Sequence, residues 1–432
     1  AFINARLIDP AGDLDQSGAL LVESGQIRAF GPRLFNDGLP DDAVVVDCDD
    51  RVLSPGLIDM RVFTGEPGSE HRETLESASR AAAAGGVTTM VVMPNTEPVI
   101  DEPSLVDFIH RRAAATACVR VLPMAALTRH LAGETMTEIG LLKEAGAVAF
   151  TDADRTIANA RVMRRALAYA ANYSALVVGH AEDPELARGA AMNEGEFATR
   201  LGIPAEPAIA ETLIVERDIR LVELTGARYH FGQISTRASL EAIVAAKARG
   251  LPITCGVSAH HLTLNELDVG PYLTFRKVKP PLRAESDRMA MIEGVASGAI
   301  DVIVSSHDPQ AADTKRQTFA QAAFGAVGLE TLLPAALQLY HNEHAGFPDI
   351  LERLTASPAR VLGLDGGQLA KGARADLIIF DPDELFRVDP KLLHSRARNT
   401  PFEGRTFEGR VHRTYVNGTC VYNREATRPF HV

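Results

Sequence analysis

Through the middle of the chain, short apolar runs alternate with longer stretches whose apolar positions recur at helical spacing. The runs cover residues 57–63, 88–93, 119–124, 147–152, 175–180, 229–234, 253–257 and 301–306. Each is short and rich in β-branched residues, which predicts strands. Between them, residues 70–84, closing in Gly85-Gly86, and residues 158–172 predict helices. A glycine just past the last periodic residue is a normal helix stop. Strand–helix alternation repeated eight times predicts parallel βα units closed into a (β/α)8 TIM barrel. The near-continuous apolar strands fit a sheet covered on both faces.

The two ends read differently. Residues 1–54 and 367–432 alternate apolar and polar positions between turns, as in Ala375-Asp376-Leu377-Ile378-Ile379-Phe380-Asp381-Pro382. Neither end carries enough apolar surface for a core of its own. They are expected to pair into one small β-sandwich domain beside a barrel spanning 55–366. A chain of 432 residues is long for a single core, which suits two domains.

Composition narrows the function class. Hydrophobic residues make up 46% and charged residues 23%, an ordinary soluble balance. A formal charge of -12 argues against nucleic acid, whose phosphates need a basic surface. No apolar run approaches the roughly 20 residues of a membrane span. Cys48, Cys118, Cys255 and Cys420 are scattered, as expected of reduced thiols. No signal peptide is legible, and the expected compartment is the cytoplasm.

Active sites of such barrels form at the C-terminal ends of the strands. The polar residues there are Arg61, Asn95, Asp152, His180, Gln233, the pair His260-His261, and His307-Asp308. Asp152 and His180 have the side chains of metal ligands, although a single histidine at a strand end is more often a hydrogen-bonded structural residue. Neighbours on one backbone point apart, so at most one of His260 and His261 faces the mouth. Arg61 suits either an anionic substrate or a permanent counter-ion for Asp152.

Several strings resemble the dihydroorotase branch of the amidohydrolase superfamily, which also holds allantoinases and dihydropyrimidinases. They are Pro55-Gly56-Leu57-Ile58-Asp59, Glu66-Pro67-Gly68, Gly85-Gly86-Val87-Thr88-Thr89, Met93-Pro94-Asn95-Thr96 and Met192-Asn193-Glu194-Gly195. His260-His261-Leu262, Lys277-Val278-Lys279-Pro280-Pro281-Leu282-Arg283, Gly328-Leu329-Glu330-Thr331, Ala375-Asp376-Leu377 and Asn399-Thr400-Pro401-Phe402 follow in the family's order. The resemblance implies the same barrel with a β-domain built from both termini. It also implies the reversible opening of a cyclic amide, interconverting dihydroorotate and carbamoyl aspartate in pyrimidine biosynthesis. In that chemistry one or two divalent metals, usually zinc, supply hydroxide near neutral pH, and a carboxylate carries the proton.

Carried over by position, the family's bridging carboxylate is Asp152, one metal histidine is His180, and the substrate-contacting asparagine is Asn95. Elsewhere this chain departs from the pattern. The first two metal histidines are Arg61 and Phe63, and the substrate-gripping arginine is Gly65. The remaining metal histidine is Gln233. The catalytic aspartate is Ser306, the histidine four residues on is Gln310, and the asparagine before Pro280-Pro281 is Lys279. A catalytic zinc usually takes three protein ligands, and a guanidinium repels a cation. Ser306 is no proton shuttle without activation. The resemblance with these departures implies a non-catalytic protein, without a cofactor or with at most one weakly held divalent metal. Its expected role is structural or regulatory, through self-association or as a partner of aspartate transcarbamoylase.

Two enzymatic alternatives stay open. One is an active dihydroorotase with a mononuclear zinc on Asp152, His180 and Asp308, although Asp308 lies two residues, about 6–7 Å of strand, past the lost aspartate. The other is a hydrolase of another cyclic amide. In that case Arg61 or Lys279 would bind its anion; the candidate substrate-binding residues as a whole are Asn95, Arg61, Lys279, His261 and His307.

Overall fold

The computed structural model describes residues 1–427. Its barrel strands are β1 (Leu57–Val62), β2 (Val87–Val92), β3 (Arg120–Pro123), β4 (Val177–Gly179), β5 (Tyr229–Phe231), β6 (Ile253–Ser258) and β7 (Val302–Val304). β1, β2 and β3 form one parallel ladder, and β4 to β7 another. Segment 147–151 bridges them. Ala125 N–H donates to the Ala149 carbonyl at 3.0 Å, and Val178 N–H to the Phe150 carbonyl at 2.8 Å. The ring closes where Phe63 N–H donates to the His307 carbonyl at 2.8 Å, beside a parallel bridge from Val62 to His307. This is the (β/α)8 barrel that the alternation predicts.

The side-chain period of two sorts the barrel's apolar residues into two layers. Val91 joins Ile58, Met60, Met124, Val178 and Val304 in one buried cluster. Its neighbours Met90 and Val92 join the other cluster, which includes Ala78, Ala81 and Ala82 of helix Leu75–Ala84. That helix starts later than its periodicity suggests, because Thr74 caps it. The Thr74 hydroxyl accepts from Ser77 N–H at 3.1 Å, and the Ser77 hydroxyl accepts from Thr74 N–H at 3.0 Å. Residues 70–73 are thereby left in the loop over the barrel mouth.

Residues from both termini share one sheet. Thr419–Asn423, Thr406–Val416, Leu377–Arg387, Val52–Pro55, Phe2–Asp9, Leu14–Glu23 and Gln26–Gly31 lie side by side in that order. Alternation again divides its residues. Leu7, Leu53, Leu377 and Ile379 pack into a cluster of their own, while Ile8, Val52, Ile378 and Phe380 join the large barrel–helix core. The sheet is thus fastened to the barrel by one face. All four cysteines are free, and no described helix is long and apolar enough to cross a membrane.

Candidate functional site

The C-terminal strand ends surround a cavity of about 490 Å³, counting its open mouth. Arg61, Asn95, Asp154, Lys279, Ser306, His307 and Asp308 supply its polar wall, and Phe63, Met93, Val278 and Phe324 its apolar wall. Two residues at this rim hold a left-handed backbone despite having side chains, Ala153 at φ 61° and Ser306 at φ 51°. Such backbone is uncommon outside glycine and concentrates where strand ends turn into a working loop.

Two residues in register with family metal ligands are engaged by protein groups. Asp152 is buried at the end of segment 147–151. Its Oδ1 accepts from Thr128 N–H at 2.8 Å, and its Oδ2 accepts the Thr128 hydroxyl. Burial raises its pKa, against those two bonds. His180 Nε2 lies 3.4 Å from Glu182 Oε2, and Lys279 Nζ lies 2.9 Å from Glu182 Oε1. Burial pushes the Glu182 carboxyl up, but the bond and charge of His180 and the charge of Lys279 hold it at about 2.

The substituted residues have found one another. Gln233 Nε2 donates to Ser306 Oγ at 3.0 Å, so the pair replacing a histidine and an aspartate is joined by a neutral hydrogen bond. Phe63 lies under the Arg72 guanidinium, 4.3 Å from ring centre to Cζ. Arg72 in turn donates to Asp308 Oδ1 at 2.7 Å, an oxygen that also accepts from Gln310 Nε2 at 3.0 Å. The carboxylate that a rearranged mononuclear site would use is therefore engaged by a cation and an amide. Among the described residues, no three His, Cys, Asp or Glu side chains converge as a metal site. These residues do not fit the zinc centre that the resemblance implies.

Other sequence-derived candidates scatter. Asn95 and His307 line the cavity, and the Asn95 Oδ1 is buried without a partner. His307 faces Glu73, with Nε2 3.6 Å from its Oε2, while Nδ1 accepts from Gly328 N–H at 3.2 Å. His261 is turned away from the cavity lining. Its Nδ1 meets the Ser258 hydroxyl at 2.7 Å, and Nε2 reaches the Pro280 and Pro281 carbonyls at 3.2 Å. Of the two roles open to Arg61, the counter-ion pair with Asp152 does not form: Thr128 takes both carboxylate oxygens, and Arg61 feels Asp154, Asp308 and Asp59 instead.

Sequence reasoning passed over Thr128, Arg72, Asp154, Glu182 and Phe324. Asp154 and Glu182 each lie two residues beyond a named ligand position; Ala153, at φ 61°, breaks the extended run between Asp152 and Asp154, so strand alternation does not place Asp154. The other three sit on loops and carry no local signature. Replacing Thr128 with Val keeps the shape but strips Asp152 of one of its two donors. It is expected to lower the unfolding free energy by about 1–3 kcal/mol, read from urea denaturation, because a buried carboxylate oxygen is left unsatisfied.

The "Dihydro-orotase-like" family matches residues 50–239, and a second family, described as "Amidohydrolase family", matches residues 301–422. The chain is 44% identical to a protein named dihydroorotase from Anaplasma phagocytophilum, over 98% of this chain and 95% of that one. A dihydroorotase from Desulforapulum autotrophicum is 43% identical over 98% of this chain and 99% of its own length. Among solved structures, the L-hydantoinase (dihydropyrimidinase) from Arthrobacter aurescens superposes with a TM-score of 0.87 at 24% identity, covering 98% of this chain and 95% of that one. At that identity the likeness speaks for the fold alone. Whole-length kinship at this level places the chain in the dihydroorotase family of the amidohydrolase superfamily.

Proposed function

We propose that this chain is a non-catalytic member of its family, serving pyrimidine biosynthesis as a structural or regulatory partner of aspartate transcarbamoylase. The observation that carries the reading is the closed set of side-chain pairs at the barrel mouth. Thr128 holds Asp152, Glu182 engages His180, Ser306 accepts from Gln233, and Arg72 holds Asp308. A hydrolytic mechanism needs a polarised carbonyl, an activated water and a proton carrier. A Gln–Ser pair supplies none of these at neutral pH, because an amide and an alcohol neither hold a metal hydroxide nor titrate in that range. The transcarbamoylase as partner is the family-level part of the proposal.

Co-expression tests it. The transcarbamoylase from the same organism should co-purify with this chain and gain activity or thermal stability. Asp152→Ala and His180→Ala should leave that effect in place wherever the variant folds. Turnover of dihydroorotate by the chain alone, abolished by those changes, would overturn the non-catalytic reading. A transcarbamoylase that neither binds nor changes would overturn the partner.

A further inference from the structure

Away from the barrel mouth, a second cavity opens on the seam between the barrel and the terminal sheet. It measures about 640 Å³, counting its open side. Helices Leu75–Ala84 and Leu332–His341 contribute Ala84 and Pro334, and the sheet contributes Phe386, Val411 and Tyr422. Ligand sites favour such seams, with apolar walls and a few convergent polar groups.

The polar groups here are biased towards positive charge. Glu330 is taken up by the segment that follows Leu393. His394 N–H and Ser395 N–H donate to its Oε1 at 2.7 and 3.2 Å, and His394 Nδ1 lies 2.9 Å from its Oε2. The bond to Glu330 raises the His394 pKa against burial, so the two side chains offset each other's charge. Arg387 and Arg410 then stand against one further carboxylate, Asp389, on a chain of formal charge -12. Arg410 lies over the Phe386 ring, 4.9 Å from Cζ to the ring centre, and Leu392, 69% exposed, stands at the rim. Inorganic phosphate would leave the apolar wall wet, and an uncharged ring would leave the guanidiniums to water. A planar ring carrying an anionic group matches both halves of the wall.

The segment behind this cavity leads to the barrel mouth. Residues 394–396 run between two carboxylates, with Glu330 on the cavity side. On the other side the Ser395 hydroxyl donates to Glu73 Oε2, and Arg396 N–H donates to both Glu73 oxygens at 3.1 Å. Glu73 is fully buried, and its Oε2 lies 3.6 Å from Nε2 of His307, a residue of the mouth cavity's wall. Hydrogen bonds weaken steeply as they lengthen or bend, and those to ionised groups have most to lose. A ligand that draws His394 towards the seam therefore loosens Ser395 and Arg396 from Glu73, and His307 meets an altered carboxylate.

We propose that the seam cavity binds a small planar organic anion and that segment 394–396 carries its occupancy to His307 at the barrel mouth. Neither half depends on whether the mouth turns over a substrate.

Calorimetric titration of the full chain tests the site. Uridine 5′-monophosphate and benzoate serve as ring-bearing anions, uridine as the ring without the charge, and inorganic phosphate as the charge without the ring. At least one ring-bearing anion should saturate one site, about 10-fold or more tighter than uridine or phosphate. Arg387→Gln should weaken that binding about 10–100-fold, the range for losing charge-assisted hydrogen bonds. Leu392→Asp, at an equally exposed position, should weaken it by setting a carboxylate at the rim. Histidine-ring ¹⁵N spectra read the coupling, with the two signals assigned from His394→Gln and His307→Gln. Saturating ligand should move both signals, and in Ser395→Ala the His307 response should shrink while that of His394 stays. Circular dichroism controls for folding, and Glu73→Gln takes the place of Ser395→Ala if the latter does not fold. Binding of neither ring-bearing anion, binding indifferent to Arg387 and Leu392, or phosphate binding as tightly as the ring-bearing anions would overturn the site. A His307 signal that stays still at saturation, or moves undiminished in the variant, would overturn the coupling.

Discussion

Expressed with added zinc and purified without chelators, the chain is expected to carry only background divalent metal by elemental mass spectrometry. A zinc site needs donors that are free as well as suitably placed. Asp152 and His180 are suitable, but Thr128 holds one and Glu182 engages the other. Binding would require breaking those contacts, which are charge-assisted or buried, for two ligands where three are usual. It would also bring a dication towards a guanidinium that no described side chain neutralises directly. Changing Arg61 and Phe63 to His, Gln233 to His and Ser306 to Asp together should reverse this, giving stoichiometric zinc in the folded variant. Since whole enzymes commonly exceed the uncatalysed rate by at least about 10⁶-fold, any restored hydrolysis should be unmistakable. Stoichiometric metal in the unmodified chain would show that residues outside this set supply the ligands.

Arg283→Met is expected to cost about 3–5 kcal/mol of stability, the range for breaking a buried ion pair by removing one partner. Arg283 is 2% exposed and is held on several sides. It donates to Glu206 Oε1 at 2.8 Å, Ser235 Oγ at 2.9 Å and Asn193 Oδ1 at 3.1 Å, with Glu211 Oε2 at 3.9 Å. Without it, two buried carboxylates face each other across an apolar side chain. Burial already raises the Glu206 pKa against the pull of Arg283, with Glu182 and Glu211 adding to the rise. Losing Arg283 raises it further. A carboxyl whose folded pKa lies above its unfolded one favours the fold at low pH and loses that contribution as pH rises through the folded value. The deficit should therefore be larger near pH 8 than near pH 5 in urea denaturation. A deficit that stays the same or shrinks with rising pH would mean that the two carboxylates do not share this charge.

The site was half legible in the sequence. Residue type and strand-end position were enough to pick out Arg61, Asn95, His307 and Asp308 of the cavity wall, because barrel geometry gathers strand ends whatever their separation along the chain. Their partners were not legible. Thr128 meets Asp152 from a loop 24 residues earlier, and Arg72 reaches Asp308 across 236 residues. His261 shows the opposite error. A histidine at the end of a strand carries the same signal whether it faces a cavity or a proline carbonyl, and only packing separates the two.

Hydrophobic periodicity by itself determined the barrel, since eight apolar runs with intervening helical stretches have few ways to bury their faces together. Residue chemistry determined just as much of the site: Arg61, Phe63, Gln233 and Ser306 are poor zinc ligands or proton carriers in any arrangement. Tertiary structure alone decided how the protein lives with those residues. It closed Gln233 on Ser306 and Arg72 on Asp308, and it left Arg61 facing an open cavity. The physical reason is range. Periodicity and side-chain chemistry are local properties written residue by residue, whereas neutralising a buried charge depends on which distant groups the fold brings within hydrogen-bonding distance.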